Sequence, residues 1–72
     1  MNLVNIFPKR KGFIKAVQGD DNLLVELRKA KLYLVTIYKY DFRAKRFNTL
    51  FQHRFTRRDF AEKHYVKVYD EF

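Results

Sequence analysis

LYLVTIYKYDFRAKRFNTLFQHRF, residues 32–55, runs as two alternating arms joined by a basic turn. Leu34, Thr36, Tyr38, Tyr40 and Phe42 alternate along the first arm, and Phe47, Thr49, Phe51, His53 and Phe55 along the second. Period-two alternation is the signature of a half-buried strand. A loop of even length, Arg43-Ala44-Lys45-Arg46, puts both sets on one face of an antiparallel ribbon, and matching faces specify the register. The reading predicts a long aromatic β-hairpin with a cationic tip.

C-terminal to the ribbon, Thr56 stands where a helix N-cap belongs, with Asp59 at the third helical position as a weak capping box. Phe55 and Phe60 fall at the two positions of a hydrophobic staple. Phe60, Ala61, His64, Tyr65 and Val68 follow helical spacing, and Asp59 is placed to pair with Lys63. This predicts a helix from residue 57 whose end is open, because Tyr65-Val66-Lys67-Val68-Tyr69 also suits a closing strand. The helix is expected to cover the Leu34/Tyr38/Phe42 and Phe47/Phe51/Phe55 face. Val35, Ile37 and Leu50 then lie on the opposite, partly exposed side with Lys39, Gln52 and Arg54.

N-terminal to the ribbon, Leu3 to Phe7 reads as a short strand closed by Pro8, and Gly12 to Gln18 as a second. Gly19-Asp20-Asp21-Asn22 is a turn or helix-start signal. Leu23 to Lys31 carries helix-favouring Leu, Glu, Arg, Lys and Ala, yet an acidic turn between two apolar runs favours a hairpin. The balance leans to strand. The predicted fold class is α+β: a small antiparallel sheet of three to four strands around the hairpin 32–55, with one C-terminal helix packed on a face.

Seventy-two residues make a single domain, 1–72, near the lower limit for a self-sufficient core. With no Cys, disulfides and thiolate ligation are unavailable, so eight Phe and five Tyr must supply the burial, or a second copy must, which leaves a homodimer open. No apolar run approaches the ~18 residues of a membrane span, and no signal-peptide pattern precedes the domain. The expected location is intracellular, in the cytoplasm.

Sixteen Lys and Arg against eight Asp and Glu give a net charge of +8, which points to a polyanion or an acidic protein as partner. The basic residues fall into four clusters: Lys9-Arg10-Lys11, read as a solvated turn or arm; Arg28-Lys29 with Lys31; Arg43 with Lys45-Arg46; and Arg54 with Arg57-Arg58. The last is unusual. Cations in the first helical turn oppose the macrodipole by ~0.3–1 kcal/mol each, so residues kept there at a cost are candidates for function.

Catalytic signals are sparse. The chain has no Ser and no Cys, hence neither common nucleophile. His53 and His64 have no metal-ligand spacing and read as packing residues. Neither a cofactor nor a metal is expected, and no residue is nominated as catalytic.

Two resemblances bear on function. Val35-Thr36-Ile37-Tyr38, followed by Gln52-His53-Arg54 and Arg57-Arg58-Asp59, resembles the sheet end of RelE-type toxins over a third of the chain. That resemblance implies metal-free RNA cleavage, although residues 1–31 are a poor counterpart of that family's preceding helical pair. A three-stranded sheet followed by a helix resembles the arm-binding domains of tyrosine recombinases, the similar part being Phe47 to Phe72, with Phe55-Thr56 opening a helix that carries Ala61. This implies DNA contacts from Lys39, Arg43, Lys45, Arg46 and Arg54.

The leading expectation is a small nucleic-acid-binding protein, with DNA or RNA contacted by Lys39, Arg43, Lys45, Arg46, Arg54, Arg57 and Arg58. The alternative is a phage or mobile-element accessory protein that inhibits or regulates an acidic or nucleic-acid-handling host or defence protein, suggested by general character and by the ability of hairpin edges to add a strand to a partner. A RelE-like ribonuclease is third.

Overall fold

The computed structural model describes residues 2–71. The elements follow as α1 (Leu3–Ile6), β1 (Phe13–Gln18), β2 (Leu23–Lys29), β3 (Tyr33–Asp41), β4 (Arg46–Phe55) and α2 (Arg58–Asp70). The four strands form one open antiparallel sheet in the order β1-β2-β3-β4, with α2 packed on one face. This is the α+β architecture expected from the patterning.

Turn chemistry resolves the ambiguous segment in favour of β2. Asp21 and Asn22 have φ of 55° and 62°, and the Leu23 N–H donates to the Asp20 carbonyl at 3.1 Å. Two central residues with positive φ match the right-handed twist of a hairpin, so Leu23 leads back along β1 in spite of helix-favouring composition.

Three expectations are corrected. Leu3 to Phe7 is not a strand: Leu3–Ile6 form a helical turn, capped by Asn2 Oδ1, which accepts from the Val4 N–H at 3.0 Å. Leu3 and Phe7 are buried while Asn5 between them is exposed; helical spacing puts i and i+4 on one face without i+2, whereas a strand would bring all three to the same face. Second, α2 begins at Arg58 with Arg57 at the N-cap, and neither Thr56 nor any other side chain caps it there. Asp59 turns back to Arg57 at 2.9 Å rather than forward to Lys63. The helix runs on to Asp70 with Tyr65 and Val68 buried, so the C-terminal segment is not a closing strand.

The third correction concerns register. Asp41 pairs with Arg46 and Tyr40 with Phe47, so the loop is Phe42–Lys45, one residue earlier than predicted. Asp41 Oδ1 accepts from the Arg43 and Ala44 N–H groups at 2.9 and 3.2 Å, and Lys45 turns the chain with φ 55°. Farther along, Tyr38 pairs with Thr49 but Ile37 with Phe51, leaving Leu50 as a bulge. One extra residue reverses the facing of everything beyond it. Phe47 therefore shares a face with Tyr38 and Tyr40, whereas Phe51, His53 and Phe55 share the other with Val35 and Ile37.

The predicted single aromatic face is thus divided, and α2 covers the side expected to be open. Ala61, Tyr65 and Val68 pack on Val25, Leu27 and Val35, with Tyr33, Ile37 and Phe55 alongside. The reverse face buries Leu24, Tyr38 and Tyr40 under Leu3 and Phe7 of the N-terminal segment. Both faces of this small sheet are covered in part.

Candidate nucleic-acid interface

The structure sorts the seven predicted contact residues into two groups. Lys39, Arg43, Lys45 and Arg46 are exposed at or near the hairpin tip. Arg54, Arg57 and Arg58 lie at the other end of β4, whose ten residues span roughly 30 Å. The two groups do not form one compact site. At the far end, Arg57 is ion-paired to Asp59 at 2.9 Å and lies over the Phe60 ring, while Arg58 approaches Glu62 at 3.7 Å. These carboxylates offset the electrostatic cost of cations at a helix start.

At the tip, the N-terminal segment folds against the ribbon and encloses a cleft of about 660 Å³. Phe7, Tyr40 and Phe47 contribute aromatic walls, and Arg10, Lys45 and Arg46 contribute cations. No carboxylate lines this cleft among the described residues. The walls are braced by ring contacts: Phe7 meets Phe47 edge-on at 5.0 Å, and Tyr40 lies 4.8 Å from Phe47. Such contacts limit side-chain motion and fix the rings that line the cleft.

Arg10 is the residue that sequence reasoning left out of the site. Its Nη2 donates to the Tyr38 hydroxyl at 3.0 Å, and that hydroxyl donates to Glu26 Oε1 at 2.9 Å. Burial pushes the Tyr38 phenol above its ordinary pKa, and the Glu26 carboxylate adds to the effect. A phenol kept protonated serves as a neutral link between a buried anion and a cation at the cleft. The sequence signal was Pro8 and Gly12 flanking a basic triplet, which marks a turn without saying against what it folds.

A larger depression, about 960 Å³, lies between the β1–β2 turn and the C-terminal end of α2. Asp20 and Asp70 line it, with no cation among its lining residues, so its electrostatics oppose a polyanion. Charge, not size, selects the tip cleft.

The residues behind the toxin resemblance do not converge. Tyr38 is buried on the N-terminal side of the sheet, whereas the His53 ring lies 4.5 Å from that of His64 of α2, tilted by 58°, on the other. Burial, then His53 and Lys67, pushes the His64 imidazole below its usual pKa. Among the described residues no group of three or more His, Asp or Glu is placed to hold a metal ion, and no helix is long and apolar enough to cross a membrane. Comparison of the chain with known protein families, curated proteins and solved structures returns no match.

Proposed function

We propose that the protein binds single-stranded nucleic acid at the tip cleft, with Arg10, Lys45 and Arg46 neutralising phosphates and the half-buried Phe47 ring of its aromatic wall receiving a base. The observation that carries this reading is the meeting of three cations with an aromatic wall in a cleft lined by no carboxylate. Cationic grooves with aromatic side chains hold single strands with little sequence preference, because every base offers a π-face. Arg43 in the turn extends the positive charge of the tip, Lys39 faces the opposite side of the sheet from Tyr38 and Tyr40, and Arg54, Arg57 and Arg58 offer further phosphate contacts to a strand that follows the ribbon. A nucleic-acid partner implies an intracellular, cytoplasmic setting.

Fluorescence anisotropy with a labelled oligothymidine and an oligouridine tests the proposal across a salt series. The log–log slope is expected near −0.7 per phosphate contacted. Replacing Arg10, Lys45 and Arg46 together by Ala is expected to flatten the slope by about two units. Failure to bind either oligonucleotide at low salt, or an unchanged slope in the triple variant, refutes the assignment.

A further inference from the structure

β4 is the free edge of the open sheet: it pairs with β3 on one side and with nothing on the other among the described residues. An edge strand presents unpaired N–H and C=O groups to any extended chain that approaches. β4 is also the longest strand, ten residues with eight exposed. The opposite edge differs. β1 has six residues, all half-buried, with a register shift near Phe13 and a flank tied down by the Leu3 N–H to Gln18 Oε1 bond at 2.7 Å.

Beyond the Leu50 bulge, Phe51 to Phe55 run in unbroken register with Ile37 to Tyr33. The two faces of this segment are chemically distinct. On the α2 side stand Phe51, 63% exposed, His53 and Phe55, next to a shallow apolar depression of about 500 Å³ formed with Phe60 and His64. On the other side stand Gln52 and Arg54. β4 contains no carboxylate.

This pattern selects the occupant. A second copy of the chain would bring two charges of +8 together and has no carboxylate in β4 to meet Arg46 or Arg54 in any register. Cations on a free edge guard against self-pairing while leaving the edge open to a strand of opposite charge. We infer that β4 is a docking edge for an extended acidic segment of a partner protein, which adds along Phe51–Phe55 with acidic side chains beside Arg54 and apolar ones beside Phe51 and Phe55. Backbone bonds supply affinity and the alternating side chains supply selectivity. Arg54 is shared with the strand path proposed above, but the cleft residues Arg10, Lys45 and Arg46 lie apart from Phe51–Phe55, so loss of binding at the cleft and loss at the edge are distinguishable.

A displayed random library of peptides of about twelve residues, selected on the full chain, provides the test. Enriched peptides should alternate Asp or Glu with apolar residues and lack Pro. Synthetic versions should perturb the backbone amides of Phe51–Phe55, and N-methylation of alternate peptide amides should abolish binding. Arg54→Glu, an exposed substitution compatible with folding, should weaken the acidic peptides about tenfold or more. The inference is overturned by an empty selection, by enriched peptides without acids, by perturbations confined to the tip cleft, or by a dimer in sedimentation whose formation perturbs the Phe51–Phe55 amides.

Discussion

Tyr38 donates its phenolic proton to Oε1 of Glu26 across 2.9 Å, and Glu26 is fully buried in the sheet. Its other oxygen has no hydrogen-bond partner, and Arg28 Nε approaches Oε1 only to 3.8 Å. The phenol is therefore the main ligand of a buried carboxylate and also the acceptor that holds Arg10 at the cleft. Tyr38→Phe is expected to destabilise the fold by about 1–3 kcal/mol in urea unfolding, the penalty for leaving a buried acceptor unmade. It should also weaken oligonucleotide binding by releasing Arg10. In the double variant with Glu26→Met the loss should be smaller than the sum of the single losses, because the two groups share one bond.

Gly12 gives a second test of how the N-terminal segment is set. Its φ is +87°, and a Cβ there would stand 1.8 Å from the Lys29 carbonyl oxygen. The Gly12 carbonyl also accepts from the Lys29 N–H at 2.8 Å, so the backbones cannot separate without losing a bond. Gly12→Ala should cost more than the ~1–3 kcal/mol of an unfavourable dihedral alone, since the clash is with backbone. A denaturation midpoint unchanged from the parent would contradict this close approach.

Apart from the helical turn at Leu3–Ile6, which was read as a strand, the elements were legible because their signals are local, whereas the facing of β4 was not. Alternation from Leu34 to Tyr40 and helical spacing from Ala61 to Val68 reveal their periods within a few residues. The Leu50 bulge is marked by neither Gly nor Pro, yet it reverses Phe51, His53 and Phe55, and with them the side on which α2 packs. The cationic tip could be read directly. Arg10 could not, because its contact with Tyr38 spans 28 residues of chain and depends on the fold of the segment between.

The start of α2 offers a substitution expected to stabilise. Arg57 occupies the N-cap with no side-chain acceptor for the free N–H groups of the first turn. Arg57→Ser supplies that acceptor, worth about 0.5–2 kcal/mol. It removes an exposed ion pair with Asp59 and a contact with Phe60, which together offset part of the gain. A net rise of up to about 1 kcal/mol is expected by thermal or urea unfolding. If Arg57 also contacts nucleic acid, the same variant is more stable yet binds oligonucleotide less tightly, a combination that a purely structural residue would not show.

His64 makes stability depend on pH in a direction that can be worked out. Its imidazole is held below its usual pKa first by burial, then by His53 and Lys67, with Glu71 acting weakly in the opposite sense. As pH falls through the unfolded value of about 6.5, the unfolded chain takes up a proton that the folded chain still refuses. The contribution of His64 is therefore fully present above that value, declines as the pH drops through it, and levels off below the folded pKa. His64→Gln should remove this component. Unfolding free energies of parent and variant at about pH 8 and about pH 5.5 give the comparison: the parent should lose more stability between the two. Equal losses would mean that the burial of His64 beside His53 does not oppose protonation.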